Sequence, residues 1–219
     1  LLDALQFEAE GRPKLVHRLD KDTSGALLLA RTARAAAYFS KHFSGRSARK
    51  LYWALVMGVP EIEDGLIELP IGKQPGTGGE KMQVDTKEGA PSRTRYRVIE
   101  QAGNRTAWVE LQPLTGRTHQ LRVHMAAIGH PIVGDGKYGG QDSFLTGGIS
   151  RKMHLHARRL KIDQDSSDQV RTLKALVRAI QTRSPAASGA ARGLMGAPPP
   201  PHRARRGLSP SAPDPDPLL

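Results

Sequence analysis

Apolar positions in this 219-residue chain fall mostly into short runs separated by glycine, proline and small polar residues. That spacing predicts more strands than helices. Two of the runs, Lys14-Leu15-Val16 and Ala26 to Arg31, flank a charged stretch from His17 to Gly25. The second is continuously apolar, as suits a strand covered on both faces. A charged loop is therefore predicted between two buried strands. Leu51 to Met57 is apolar on both faces, with Tyr52 pointing opposite to Trp53. Further strands are predicted at Gly65 to Ile71, Lys81 to Thr86, Ser92 to Glu100, Asn104 to Leu111 and Leu155 to Ile162. Trp53 and Trp108 read as core.

Helical spacing occurs at three places in this part of the chain. Leu1 to Glu10 turns Leu1, Leu2 and Leu5 inward and is ended by Gly11 and Pro13. Thr32 is placed to cap a helix from Ala33 to Phe43, with Ala36, Phe39 and Phe43 on one face. A third helix, Thr118 to Ile128, is closed by Gly129 and buries Leu121, Met125 and Ile128. Beyond Ile162 the pattern changes. Residues 164–219 hold one candidate basic helix, Val170 to Thr182, and then a Pro-, Ala-, Arg- and Ser-rich stretch that includes Pro198 to Pro201. Such a composition cannot bury enough apolar surface to fold. The expected organisation is one folded unit over 1–163, followed by a largely disordered tail over 164–219.

Composition narrows the partner. A net charge of +12 and a pI near 10.4 point to a polyanion. No run has the length of a membrane-spanning helix, and no segment reads as a basic amphipathic surface helix, so nucleic acid is preferred to a membrane. Zero cysteines exclude disulfides, thiol nucleophiles and cysteine-ligated zinc. That composition agrees with a reducing cytoplasm.

The charged loop is where chemistry is expected, because loops fixed at both ends can present a carboxylate rigidly. Asp20, Asp22, Ser24 and Gly25 follow the first half of an EF-hand calcium loop. The twelfth position, which requires a bidentate Glu, is Arg31. The Asp-x-Asp spacing also suits a magnesium-dependent phosphatase with an aspartate nucleophile, but His17-Arg18 interrupts the apolar strand it needs, and the acidic residues downstream are scattered. A single catalytic Asp beside cations remains, against the plainer role of an Asp that only shapes a turn. Arg122 lies near the inward side of the Thr118–Ile128 helix, and a buried guanidinium requires a carboxylate.

The loop His17-Arg18-Leu19-Asp20-Lys21-Asp22-Thr23-Ser24-Gly25 has distant company. Together with Lys50 to Ala54, Gly116 to His124 and Gly129 to Asp135 it resembles the RluA-type pseudouridine synthases, most of all the bacterial enzymes that modify large-subunit ribosomal RNA. The likeness runs from about Leu1 to Ile162. It implies an α+β fold, a mixed and mainly antiparallel β-sheet flanked by helices and crossed by a basic cleft, and conversion of uridine to pseudouridine in RNA without a cofactor. It further implies that Asp20 is the reacting carboxylate, that Tyr52 stacks on the target base, and that Arg122 pairs with Asp20. His17, Arg18, Thr23, Arg117, His119 and Gln120 are expected to shape the loop or contact RNA. Family members also carry an upstream strand with an Asn-Lys-Pro element, many have a small RNA-binding domain before it, and a further strand follows the equivalent of Ile162. The chain is accordingly expected to be a fragment with an out-of-frame or otherwise altered C-terminus.

A non-catalytic RNA-binding or ribosome-assembly protein on the same scaffold is the competing class. The joint presence of Asp20, Tyr52 and Arg122 favours catalysis. Arg93, Arg95 and Arg97 alternate along one strand and offer either a solvated face or a backbone contact. His119 and His124, five residues apart, do not share a helix face, and no carboxylate or cysteine completes a site around His154 and His156, so no metal is expected. Asp135 reads as structural, and a monomer is the default.

Overall fold

The computed structural model describes residues 5–6, 11–45, 47–76 and 81–162. Most of the first predicted helix and all of the tail, with its candidate helix, lie outside the described residues. The described part is an α+β structure. Its central sheet has six strands, β2 (Ser24–Gly25), β10 (Leu155–Ile162), β4 (Ala48–Met57), β9 (Thr106–Pro113), β8 (Arg93–Ala102) and β5 (Asp64–Glu68), in that spatial order. All neighbours are antiparallel except β2 and β10. Two small antiparallel ladders accompany it, β1 (Lys14–Leu15) with β3 (Leu29–Ala30) and β6 (Ile71–Lys73) with β7 (Met82–Val84).

The predicted apolar strands mostly pair where the pattern places them, and two break. Of the run Ala26 to Arg31 only Leu29–Ala30 forms a strand, because the Ala26 amide bonds the Ala157 carbonyl and the Leu28 amide is taken by the His17 imidazole. Gly65 to Ile71 divides at Leu69-Pro70, since proline has no amide to continue a ladder.

Helix α1 (Ala33–Ser44) starts as expected, with the Thr32 hydroxyl accepting the Ala35 amide at 3.1 Å. Helix α2 (Gln120–Ala127) starts two residues later than predicted, because His119 takes a left-handed conformation with φ of 54°.

Two apolar cores result. Tyr52, Ala54 and Val56 of β4 and Ala107, Val109 and Leu111 of β9 pack beneath α2, which contributes Leu121 and Met125. A smaller core gathers Val16, Leu28 and Ala35 with Phe39 and Phe43 of α1 and Leu160 and Ile162 of β10. Each fully buried side chain of this size contributes about 1.5–3 kcal/mol. A cleft opens where the two cores meet, with Phe43 on one side and Leu121 on the other. Trp53 lies outside the core beneath α2, edge-on to Trp108 at 4.8 Å and with the Arg158 guanidinium 4.5 Å above its ring. Among the described residues no helix is long and apolar enough to cross a membrane.

Candidate active site

The loop between β1 and β3 is fixed by its own side chains. His17 accepts the Leu28 amide at its Nε2 (2.9 Å) and stacks on Phe43, centroids 4.5 Å apart. Burial, with the nearby Lys50 charge, lowers its pKa from 6.5 to about 4, so the ring stays neutral and keeps that acceptor. The Thr23 amide donates to the Asp20 carbonyl at 3.0 Å, closing the turn at Asp22 (φ 70°).

At the far end Gly25 (φ 115°) runs so close to Ala157 that a Cβ would collide with its backbone. Ser24 Oγ shares a 2.9 Å hydrogen bond with His156 Nδ1. The loop is thereby fastened to β10, and Asp20 sits half-buried at its centre.

Asp20 lines a cleft of about 270 Å³. Lys50 and Tyr52, two apart on β4 and so on one side of the strand, form its floor. Burial, then the negative charge of Asp20, pushes the Tyr52 phenol up to about 12, so it remains a protonated donor. Burial lowers the Lys50 ammonium, and Asp20 opposes that shift.

Of the residues anticipated from sequence, His17, Arg18, Asp20, Thr23, Tyr52, Arg117 and Gln120 all reach this cleft. Arg122 and His119 do not line it. Arg122 is not paired with Asp20 as expected. Its Nε and Nη2 each donate to the Asp135 carboxylate at 2.7 Å, a bidentate pair that is almost fully buried.

The reason is tertiary. Residues Pro131 to Val133 bond to β4 through the Met57 amide and the Leu55 carbonyl, and the turn that follows delivers Asp135 to the guanidinium. Burial opposes the charge of Arg122, but the hydrogen bonds and charge of Asp135, helped by Tyr138 and Asp20, hold its pKa above the ordinary value. Asp20 thus acts on Arg122 through space.

Behind the cleft, the Tyr138 ring lies 4.8 Å from the Arg122 guanidinium. Its hydroxyl shares a 2.7 Å hydrogen bond with His119 Nδ1. Burial lowers the His119 pKa, opposed by Asp20, so this imidazole also favours its neutral form.

Gln120 is buried and fully engaged. Its oxygen accepts from the Thr115 hydroxyl (2.7 Å) and the Arg117 amide (3.0 Å), and its nitrogen donates to the Arg93 carbonyl and Thr94 hydroxyl, both at 2.9 Å. These four bonds exhaust its amide, so it braces the cleft rim and has no group left for RNA.

The arginine row on β8 takes the solvated-face alternative. Arg93 meets Glu68 at 2.7 Å, while Arg95 meets Asp64 and Arg97 meets Glu110 at 3.0 Å. The intervening Thr94 and Tyr96 are buried, so the row lies on the face turned away from the core and its charges are already matched. His124, His154 and His156 each have protein hydrogen-bond partners.

Sequence reasoning missed three participants. Lys50 carried a usable signal, its place at the start of the Lys50 to Ala54 stretch that carries the resemblance, although the predicted strand begins one residue later. Asp135 ends a stretch that carries the resemblance but reads there only as structural, and Tyr138 carries no signal, because only the fold brings them to Arg122 and His119.

Residues 2–127 match the family model described as RNA pseudouridylate synthase. The chain is 40% identical over 160 residues to the dual-specificity RNA pseudouridine synthase RluA of Salmonella typhi, covering 73% of this chain and 71% of that protein. It is 41% identical over 147 residues to an uncharacterised RNA pseudouridine synthase of Synechocystis sp., covering 66% of this chain and only 44% of that protein's length. Among solved structures, human RNA pseudouridylate synthase domain containing 1 superposes with a TM-score of 0.63 at 34% identity, covering 83% of this chain and 72% of that one.

Proposed function

The chain belongs to the RNA pseudouridylate synthase family, and on that premise we propose that its cleft isomerises uridine to pseudouridine within RNA, with large-subunit ribosomal RNA as the substrate. The observation that carries this is the meeting of Asp20 and Tyr52 in one cleft under a cationic rim. A target uridine must leave its stack, at a cost of a few kcal/mol, and needs an aromatic surface to receive it. Tyr52 supplies that surface, and its protonated hydroxyl can also donate.

Asp20 acts as an ionised carboxylate on the sugar, as nucleophile or as proton acceptor. The bond from N1 to the ribose breaks, the uracil turns while bound, and a bond from C5 to the ribose replaces it. The proton on C5 leaves and N1 gains one, so the reaction is an isomerisation and needs no electron carrier. Arg18 and Arg117, on the rim, hold the RNA backbone, since phosphate contacts position a substrate without specifying it. The enzyme works as a cytoplasmic monomer in this proposal.

Tritium release from uridine labelled at C5, in unmodified large-subunit ribosomal RNA, tests it. Release by the wild-type chain that disappears in Asp20→Ala is the expected result. Equal release by both proteins would remove Asp20 from the chemistry. RNA binding without release would favour the non-catalytic RNA-binding role.

A further inference from the structure

Toward its β2–β10 end the central sheet carries a second group of cations, apart from the matched arginines of β8. Neither β4 nor β10 contains an aspartate or a glutamate. Lys161 stands directly opposite Arg49, and Arg159 opposite Leu51, on the side of the sheet turned away from Lys50 and Tyr52 of the cleft. Arg158 joins them through a bulge. Ala157 pairs with Tyr52 and Arg159 with Leu51, so Arg158 is an extra residue in β10, and its guanidinium lies 4.5 Å over the Trp53 ring on this same side. Two consecutive arginines thus face one way, which a regular strand forbids.

The surroundings leave these charges open to an anion. Arg49, Arg159 and Lys161 are exposed, and Glu110 of β9, opposite Trp53, already meets Arg97 at 3.0 Å. Like charges directly across a ladder repel each other, and a polyanion laid over Arg49 and Lys161 removes that repulsion. A guanidinium stacked on an aromatic ring, as Arg158 is on Trp53, is pre-set for planar contact with a phosphate.

Resting on the pseudouridine synthase reading, we propose that Arg49, Arg158, Arg159 and Lys161 form a second RNA-contact surface, which grips the phosphate backbone of a segment remote from the target uridine. The cleft opens on the other side of the sheet, so a short stem seated there does not reach these cations. A large folded RNA does. The contact is blind to sequence, because phosphates position an RNA without specifying it, and it favours a large RNA over an isolated stem-loop.

Filter binding across a salt series tests this with two RNAs: unmodified large-subunit ribosomal RNA, and a short uridine-bearing stem-loop cut from it. In the triple variant Arg49→Gln, Arg159→Gln, Lys161→Gln the slope of log affinity against log salt for the large RNA falls by about two to three ions, and affinity drops about tenfold. Stem-loop affinity and tritium release from the stem-loop stay as in the wild type. Arg159→Glu alone, a change at an exposed position, weakens large-RNA binding more than Arg159→Gln. An unchanged slope for the large RNA in the folded variants overturns the proposal and turns the surface toward an acidic protein. Equal losses on both RNAs overturn it as well, since they place the residues with the cleft. Failure of the enzymatic reading looks different: tritium release would not depend on Asp20, while the salt slopes still separated the two RNAs.

Discussion

The two faces of the central sheet carry cations of opposite standing. On the face turned from the core, Arg93, Arg95 and Arg97 each meet a carboxylate, and two of those carboxylates come from the neighbouring edge strand β5. In the cleft, Lys50, Arg18 and Arg117 surround the single carboxylate of Asp20. The first arrangement cancels its field locally, whereas the second leaves an excess of positive charge beside one reactive group. Charge counted along the sequence is similar in the two places. Strand register decides which of it remains available to a polyanion.

The largest test of this contrast removes a partner from the buried pair behind the cleft. Asp135→Ala leaves the Arg122 guanidinium buried without its counter-charge, and stability falls by about 3–5 kcal/mol. Urea denaturation followed by circular dichroism measures it. A loss comparable to an exposed pair would mean that Arg122 swings out to water or toward Asp20.

The pH dependence of stability comes next. His17 has its folded pKa depressed to about 4 from 6.5. Between those values the unfolded chain takes up the proton more readily, so stability rises with pH across the window. The contribution of His17 is present above about pH 6.5 and is lost as pH falls toward 4. Melting temperatures recorded from pH 4 to 7 should rise more gently in His17→Gln, which keeps an acceptor that does not titrate. Identical slopes would show that the imidazole is not what anchors the loop.

The smallest effect belongs to the outer face. Replacing Arg93, Arg95 and Arg97 singly with Gln should change the melting temperature by no more than about 3 °C, because exposed pairs contribute little. The salt dependence of RNA binding should stay the same in these variants, while Arg117→Gln reduces its slope by about one ion. If the outer arginines altered the slope as much as Arg117, the two faces would not differ as the register implies.

Much of this is legible in the sequence alone. The apolar runs located β4 and β10 closely, because a strand buried on one or both faces writes its period into the sequence. Thr32 announced the start of α1 through its side-chain chemistry. The charged loop between two apolar runs marked Asp20, and Tyr52 stood out within the motif that carries the family resemblance.

What the sequence left open was pairing between distant residues. Arg122 needed a carboxylate, which its place on an inward helix face made plain, but whether that was Asp20 or Asp135 depended on how the turn after Val133 docks on β4. Gln120 reads in the sequence as a ligand for RNA, whereas the fold spends its four hydrogen bonds inside the protein. The row of arginines on β8 reads in the sequence as a solvated face or a backbone contact, and the acids that β5 and β9 bring alongside decide between them. A sequence fixes residue type and local period, since both arise from neighbours along the chain. The assignment of each buried charge to its partner needs the close approach that only the folded chain provides.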